Sequence, residues 1–84
     1  MMATDGTLPD RLRELFLTKL QIEPPPDGVD MIEAGILDSL NVVALLLHVE
    51  QQLGIKVSVH DVEIDDFRTI DGIARCLERQ RSRL

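Results

Sequence analysis

The run Leu-Asn-Val-Val-Ala-Leu-Leu-Leu-His-Val-Glu-Gln-Gln-Leu at residues 40–53 leaves this chain little choice of fold. Ahead of it stand Asp38 and Ser39, whose side-chain oxygens are of the kind that accept the first unpaired N–H groups of a helix. Behind it stands Gly54, the residue that supplies a left-handed stop. The sequence therefore predicts one helix over 38–53. At 100° per residue, Val42, Leu45, Leu46, Val49 and Leu53 fall on one face and form a core stripe. Leu40, Val43, Ala44 and Leu47 fall on the opposite face. A small bundle buries one side of such a helix, so the second stripe is predicted to receive a partner. The hydroxyl of Ser39 stands at its head.

Eighty-four residues make one domain, near the lower end of what a hydrophobic core alone supports. We expect that domain to fill 1–84, with a flexible tail at 1–6 and the bundle over about 8–80. With 44% hydrophobic residues the chain has material for a core, but it is too short for an enclosed catalytic cleft. Nine basic residues against 15 acidic ones give a formal charge of −6, and the only aromatics are Phe16 and Phe67. Nucleic-acid affinity comes from neutralised phosphates and stacked bases, so an acidic chain without stacking residues argues against that class of partner. The same charge favours partners with a basic patch. The single cysteine, Cys76, has no internal disulfide partner and is expected as a small, semi-buried thiol. With no signal-peptide pattern and no membrane-spanning apolar run, the expectation is a cytoplasmic monomer.

Along the chain, Thr7-Leu8-Pro9-Asp10 reads as a helix start: a Thr cap, Pro in the first turn and an acid at the third helical position. Leu12, Leu15, Phe16 and Leu20 carry that helix on one apolar face to about Gln21. Pro24-Pro25-Pro26-Asp27-Gly28 cannot continue it. A long loop over 22–37 follows, with Val29, Ile32, Ile36 and Leu37 as plugs into the core. Ile55, Val57 and Val59 alternate with polar residues like a strand, but a lone strand has nothing to pair with. The segment is instead predicted as an extended connector, with Ser58 capping a short helical turn to about Ile64. Residues 65–68 form an irregular link anchored by Phe67. Thr69 caps a last helix over 70–81 with Ile70, Ile73, Ala74 and Leu77 on one face, and Arg75, Arg79, Arg81 and Arg83 suit its negative C-terminal end. The expectation is all-α: a small four-helix bundle of three main helices and one short one, with a long loop between helices one and two.

Three chemistries are candidates, two of them at Ser39. A hydrolase nucleophile needs a base and a strained turn of the G-x-S-x-G kind; Ser39 sits instead in Leu-Asp-Ser-Leu-Asn. His48 lies more than two turns away on the same helix, leaving His60 as the only other base. A calcium loop at 61–72 fails at both diagnostic positions, where Asp66 replaces Gly and Gly72 replaces Glu; no metal site is expected. The third chemistry is covalent attachment. An exposed hydroxyl at a helix start is open to a modifying enzyme, and the free N–H groups and helix dipole there favour a phosphodiester. Gly35, the acids Asp30, Glu33 and Asp38, and the second apolar stripe all converge on this reading. The alternative is an unmodified interaction module that uses the same stripe to bind a partner helix.

Gly35-Ile36-Leu37-Asp38-Ser39-Leu40, the long apolar helix, Gly54-Ile55-Lys56-Val57 and Asp66-Phe67-Arg68-Thr69-Ile70 together resemble the acyl carrier protein family. The resemblance spans roughly residues 8–79 and is nearest to free-standing carriers, including the D-alanyl carrier type. It implies a non-catalytic carrier that holds acyl or aminoacyl cargo as a thioester on a 4'-phosphopantetheine arm, taken from coenzyme A and joined to Ser39. It also implies that Asp38 is read with Ser39 by a phosphopantetheinyl transferase and that Leu40 contacts partners. An adenylating ligase and downstream acyl-transfer or synthase enzymes complete the implied set of partners. Fatty-acid-synthesis carriers stud this helix with acids, whereas Asn41, Ala44, Gln51 and Gln52 occupy several such places here and Glu50 alone remains. Docking is therefore expected to rest on apolar contact through Leu40, Val43 and Leu47, in a specialised pathway rather than housekeeping fatty-acid synthesis.

Overall fold

The computed structural model describes residues 7–26 and 28–82, apart from the side chains of Val59 and Ser82. The expected tail at 1–6, Asp27 of the proline turn and Arg83 lie outside the described residues.

The first helix, α1, spans Leu8–Leu15. Thr7 holds an extended conformation, and its Oγ1 accepts the Asp10 N–H at 3.5 Å, the cap expected of it. Over Phe16–Leu20 the helix continues in the wider π form, and Gln21, with φ 57°, ends it in the left-handed region. The helix thus reaches the length expected from its apolar spacing but is not α throughout. Leu12, Leu15 and Phe16 are buried. Leu8–Leu15 packs on the last helix, and Phe16–Leu20 packs on the second.

The second helix, α2, spans Ser39–Leu53. Val42, Leu45, Leu46 and Val49 are buried and Leu53 is half-buried against them, so the stripe read from the 3.6-residue period is the core face. Gly54 closes the helix at φ 74°, donating its N–H to the Glu50 carbonyl at 3.1 Å.

Among the described residues no strand forms, and the chain is all-helical with three helices. Ile55 is buried and Val57 packs against the core, so the alternating segment does tuck its apolar side chains under the bundle. In place of one short helix the connector makes two separate 3-10 turns, Val59–Asp61 and Ile64–Phe67. Ser58 opens the first, its Oγ accepting the His60 N–H at 3.2 Å. Val62 and Glu63 then return to extended backbone. The second turn is closed by Glu63 and Asp66, each side chain accepting the other's backbone N–H. Short polar side chains that bond local backbone in this way favour turns over a continuous helix. Phe67, expected as an anchor in an irregular link, lies fully buried at the end of this turn.

The third helix, α3, spans Ile70–Ser82 and is opened by Thr69, whose Oγ1 accepts the Gly72 N–H at 3.0 Å. Ile70, Ile73, Ala74 and Leu77 are buried as their spacing predicts. Cys76 is fully buried with them rather than semi-buried. Gly72 is needed for packing: a Cβ there would lie 2.8 Å from the Asp66 carbonyl oxygen. Absence of a side chain lets the Ile64–Phe67 turn sit directly on α3.

Candidate functional site

The site is built by the loop that delivers the chain to α2. Asp30 folds this loop: its Oδ1 accepts the N–H groups of Ile32 and Glu33, both at 3.0 Å. The Met31 carbonyl accepts those of Ile36 (2.9 Å) and Leu37 (3.1 Å), which brings the chain round at Gly35, where φ is 77°. Met31 and Leu37 plug fully into the core, with Ile32 and Ile36 half-buried beside them. Leu37 was expected as a plug and Met31 was not, because a loop has no period from which to read an inward-facing residue. Asp30, expected as part of an acidic surface, is instead tied into the structure. Its N–H acceptor role toward Glu33, together with the Arg68 guanidinium, holds its carboxyl below the usual carboxylate range against the opposing effect of partial burial.

At the loop's end Asp38 and Ser39 divide the work. Asp38 is the cap: it is extended at φ −135°, its Oδ1 accepts the Asn41 N–H at 2.9 Å, and its carbonyl accepts the Val42 N–H at 2.9 Å. Ser39 is the first helical residue. Its hydroxyl is exposed and, among the described residues, makes no hydrogen bond, so it is not spent on capping. The Asn41 side-chain amide reaches back 3.5 Å to the Ile36 carbonyl and ties the helix to the loop.

Beside Ser39 lies an open depression of ≈ 180 Å³, walled on one side by Val42 and Val43 and on the other by Val62, Glu63, Ile64 and Phe67. No histidine lines it, and the one ionisable side chain on its walls, that of Glu63, accepts the Asp66 N–H. Beyond it the second stripe of α2 is open: Leu40 is 81% exposed, Val43 46% and Leu47 56%, with Ala44 half-buried. Across the depression Ile64, 45% exposed, extends this apolar surface. The sequence placed Ile64 at about the end of a short helical turn, whereas it opens the second 3-10 turn.

The exposed, unengaged Ser39 hydroxyl fits a phosphodiester. The N–H groups of Ser39 and Leu40 precede the first helical hydrogen bonds and have no backbone acceptor among the described residues. They supply, with the helix dipole, the positive end such an anion favours. No group of three metal-ligating side chains is close enough to hold a metal among the described residues. None of the described helices is long and apolar enough to cross a membrane.

Comparison with known proteins agrees with this geometry. Residues 10–77 match the family described as "Phosphopantetheine attachment site". The chain is also 39% identical over 72 residues to the D-alanyl carrier protein of Staphylococcus saprophyticus, an alignment covering 86% of this chain and 90% of that one. A family match across most of the length, joined to an accessible serine at a helix start, decides against the unmodified interaction module. The chain belongs to the acyl carrier protein family, the carriers that bear a covalent 4'-phosphopantetheine.

Proposed function

We propose that Ser39 is the attachment residue and that the protein is a non-catalytic, cytoplasmic, monomeric carrier of acyl or aminoacyl cargo in a specialised pathway. The observation that supports this most directly is the free Ser39 hydroxyl beside a cap made by Asp38. Asp38 orients the helix start and leaves its second carboxylate oxygen for recognition by the transferase. Ser39 Oγ forms the new phosphoester bond and gives up its proton as the pyrophosphate bond of coenzyme A breaks and adenosine 3',5'-bisphosphate leaves, while the first-turn N–H groups face the resulting phosphodiester anion. When bound, the 4'-phosphopantetheine group supplies a thiol of ordinary pKa, about 8.5, that carries the cargo as a thioester. The bond chemistry belongs to the partner enzymes.

Leu40, Val43 and Leu47 form the docking face, with Ile64 at its edge. Their exposure, and the scarcity of acids along α2, support recognition by apolar contact rather than charge. The partners are a phosphopantetheinyl transferase, a dedicated adenylating ligase and downstream acyl-transfer or synthase enzymes. The 39% identity to a D-alanyl carrier protein supports a ligase-loaded carrier over a housekeeping fatty-acid carrier. In bundle terms, the two 3-10 turns and the loop over 21–38 take the parts of the short fourth helix and the long first connection.

Intact mass after incubation with coenzyme A, Mg²⁺ and a promiscuous phosphopantetheinyl transferase tests the assignment. A single phosphopantetheine adduct is expected on the native sequence and none on Ser39→Ala. An adduct on the variant, or none on folded native protein, refutes it.

A further inference from the structure

Among the described residues, the shortest long-range contact between side chains joins the loop before Ser39 to the link before α3. Arg68 Nη1 lies 2.6 Å from Asp30 Oδ2, its Nε lies 2.8 Å from Asp65 Oδ1, and its carbonyl accepts the Met31 N–H at 2.6 Å. Asp30 and Met31 are the two residues that shape the turn delivering Asp38 and Ser39. Arg68 directly follows Phe67, and Asp65 follows Ile64, two residues of the far wall of the depression beside Ser39. One guanidinium therefore fixes both sides of that depression relative to each other, across 38 residues of chain.

We propose that the Asp30–Arg68 pair is a positioning device that sets Ser39 for phosphopantetheine transfer. This rests on the reading of Ser39 as the attachment residue and extends it to two residues outside the motif. The pair joins the irregular loop before α2 to the turn that packs on α3. Both side chains are also partly exposed, at 34% for Asp30 and 41% for Arg68, so a fold stabiliser is not their most effective use. Arg68 bridges two carboxylates through two different nitrogens of one planar group, which gives direction that a lysine reproduces only in part. Asp30→Asn isolates the pair cleanly, because the amide oxygen still accepts from Ile32 and Glu33 while the charge is gone.

The test measures kcat and KM for transfer from coenzyme A by a promiscuous phosphopantetheinyl transferase. It uses the full chain, on Arg68→Met, Arg68→Lys, Asp30→Asn and the Arg68→Met/Asp30→Asn double variant, each confirmed folded by circular dichroism at the assay temperature. A misaligned nucleophile loses rate rather than binding. The expectation is a kcat drop of about tenfold for Arg68→Met and Asp30→Asn with KM for the carrier little changed. The double variant is expected to be no worse than either single, since both remove one contact. Arg68→Lys recovers part of the loss. Native kcat in both single variants, even with lowered melting temperatures, assigns the pair to stability alone and overturns the proposal. A raised KM for Arg68→Met with Asp30→Asn unaffected also overturns it, because Arg68 would then touch the transferase directly. Native protein that never loads overturns the Ser39 reading itself, whereas native protein that loads at the same kcat as the variants overturns this inference only.

Discussion

Replacing Asp38 and Ser39 in turn separates capping from attachment at adjacent residues. Asp38 makes the 2.9 Å cap contact to Asn41 and Ser39 makes none, so the two alanine variants should differ in stability in a way the sequence alone does not foresee. Loss of an Asp cap costs about 1 kcal/mol. With an unfolding entropy of about 2.1 cal/mol/K per residue over 84 residues, that becomes a melting-temperature drop of about 6 °C for Asp38→Ala. Ser39→Ala removes an exposed, unengaged hydroxyl, and its effect should stay within about 0.5 kcal/mol, or roughly 3 °C. Asp38→Asn keeps an equally good cap and removes only the charge, so it should melt like the native protein. Thermal melts by circular dichroism give the first axis, and intact-mass loading with coenzyme A gives the second. We expect Ser39→Ala to be stable and never loaded, Asp38→Ala to be destabilised and slowly loaded, and Asp38→Asn to be stable but slowly loaded. A Ser39→Ala melt as low as that of Asp38→Ala would refute the division of labour. Native-rate loading of Asp38→Asn would refute the role of the Asp38 charge in recognition.

Four further outcomes follow from burial and charge. Leu45→Ala, at a fully buried position, should cost about 2–5 kcal/mol, whereas Leu47→Glu on the same helix should change stability by less than about 0.5 kcal/mol yet slow transfer with partner enzymes; equal melts would make the outer stripe core. Gly72→Ala, which in an open helix would stabilise, should here destabilise by about 1–3 kcal/mol because its Cβ meets the Asp66 carbonyl at 2.8 Å; a gain in stability would show that the turn does not abut α3. Cys76 is buried, and burial pushes its thiol above the ordinary range with the Asp66 charge adding to the effect, so a thiol reagent should find no reactive thiol in the folded unloaded protein and one in the folded loaded protein. The Asp30 carboxyl titrates below its ordinary range, so its contribution is complete above the unfolded value and is lost as pH falls below about 4; melts from neutral pH downward should show Asp30→Asn losing less stability across that acid window than native protein.

The helices were legible because each announces itself in more than one way. Thr7 with Pro9, Asp38 with the period of Val42 to Val49, and Thr69 with Ile70 to Leu77 combine a cap with a repeat, and two independent local signals agree on one place. The outer stripe of α2 was legible for the same reason: a period that fills two faces states that one of them lies outside the core. Two parts of the site carried no such signal. Whether Asp38 or Ser39 caps α2 depends on which residue takes the extended conformation, and adjacent capping types do not decide that. The connector's split into two turns depends on Glu63 and Asp66 bonding each other's backbone, a pairing that one continuous turn would satisfy less well. Arg68 was visible only as part of a link, since its partner Asp30 lies far away in sequence.

These observations place the determinants of carrier behaviour in different physical layers. The aliphatic stripe of α2, Phe16 and Phe67 hold the bundle by burial, and among the described residues no polar or charged residue is buried with them. The loop over 21–38 contributes little regular structure, and several of the bonds that shape it meet at two residues, Asp30 and Met31, which both bond Arg68. Ser39 is thus presented by a segment whose geometry rests on a few polar contacts, next to a helix whose geometry rests on packing. Substitutions in the packing layer should therefore appear in melting temperature, and those in the polar layer in rate. The exposed stripe belongs to neither layer and should register only when a partner enzyme is present. On the proposed reading of Ser39, this separation lets the outer face of α2 change residue by residue without moving the serine.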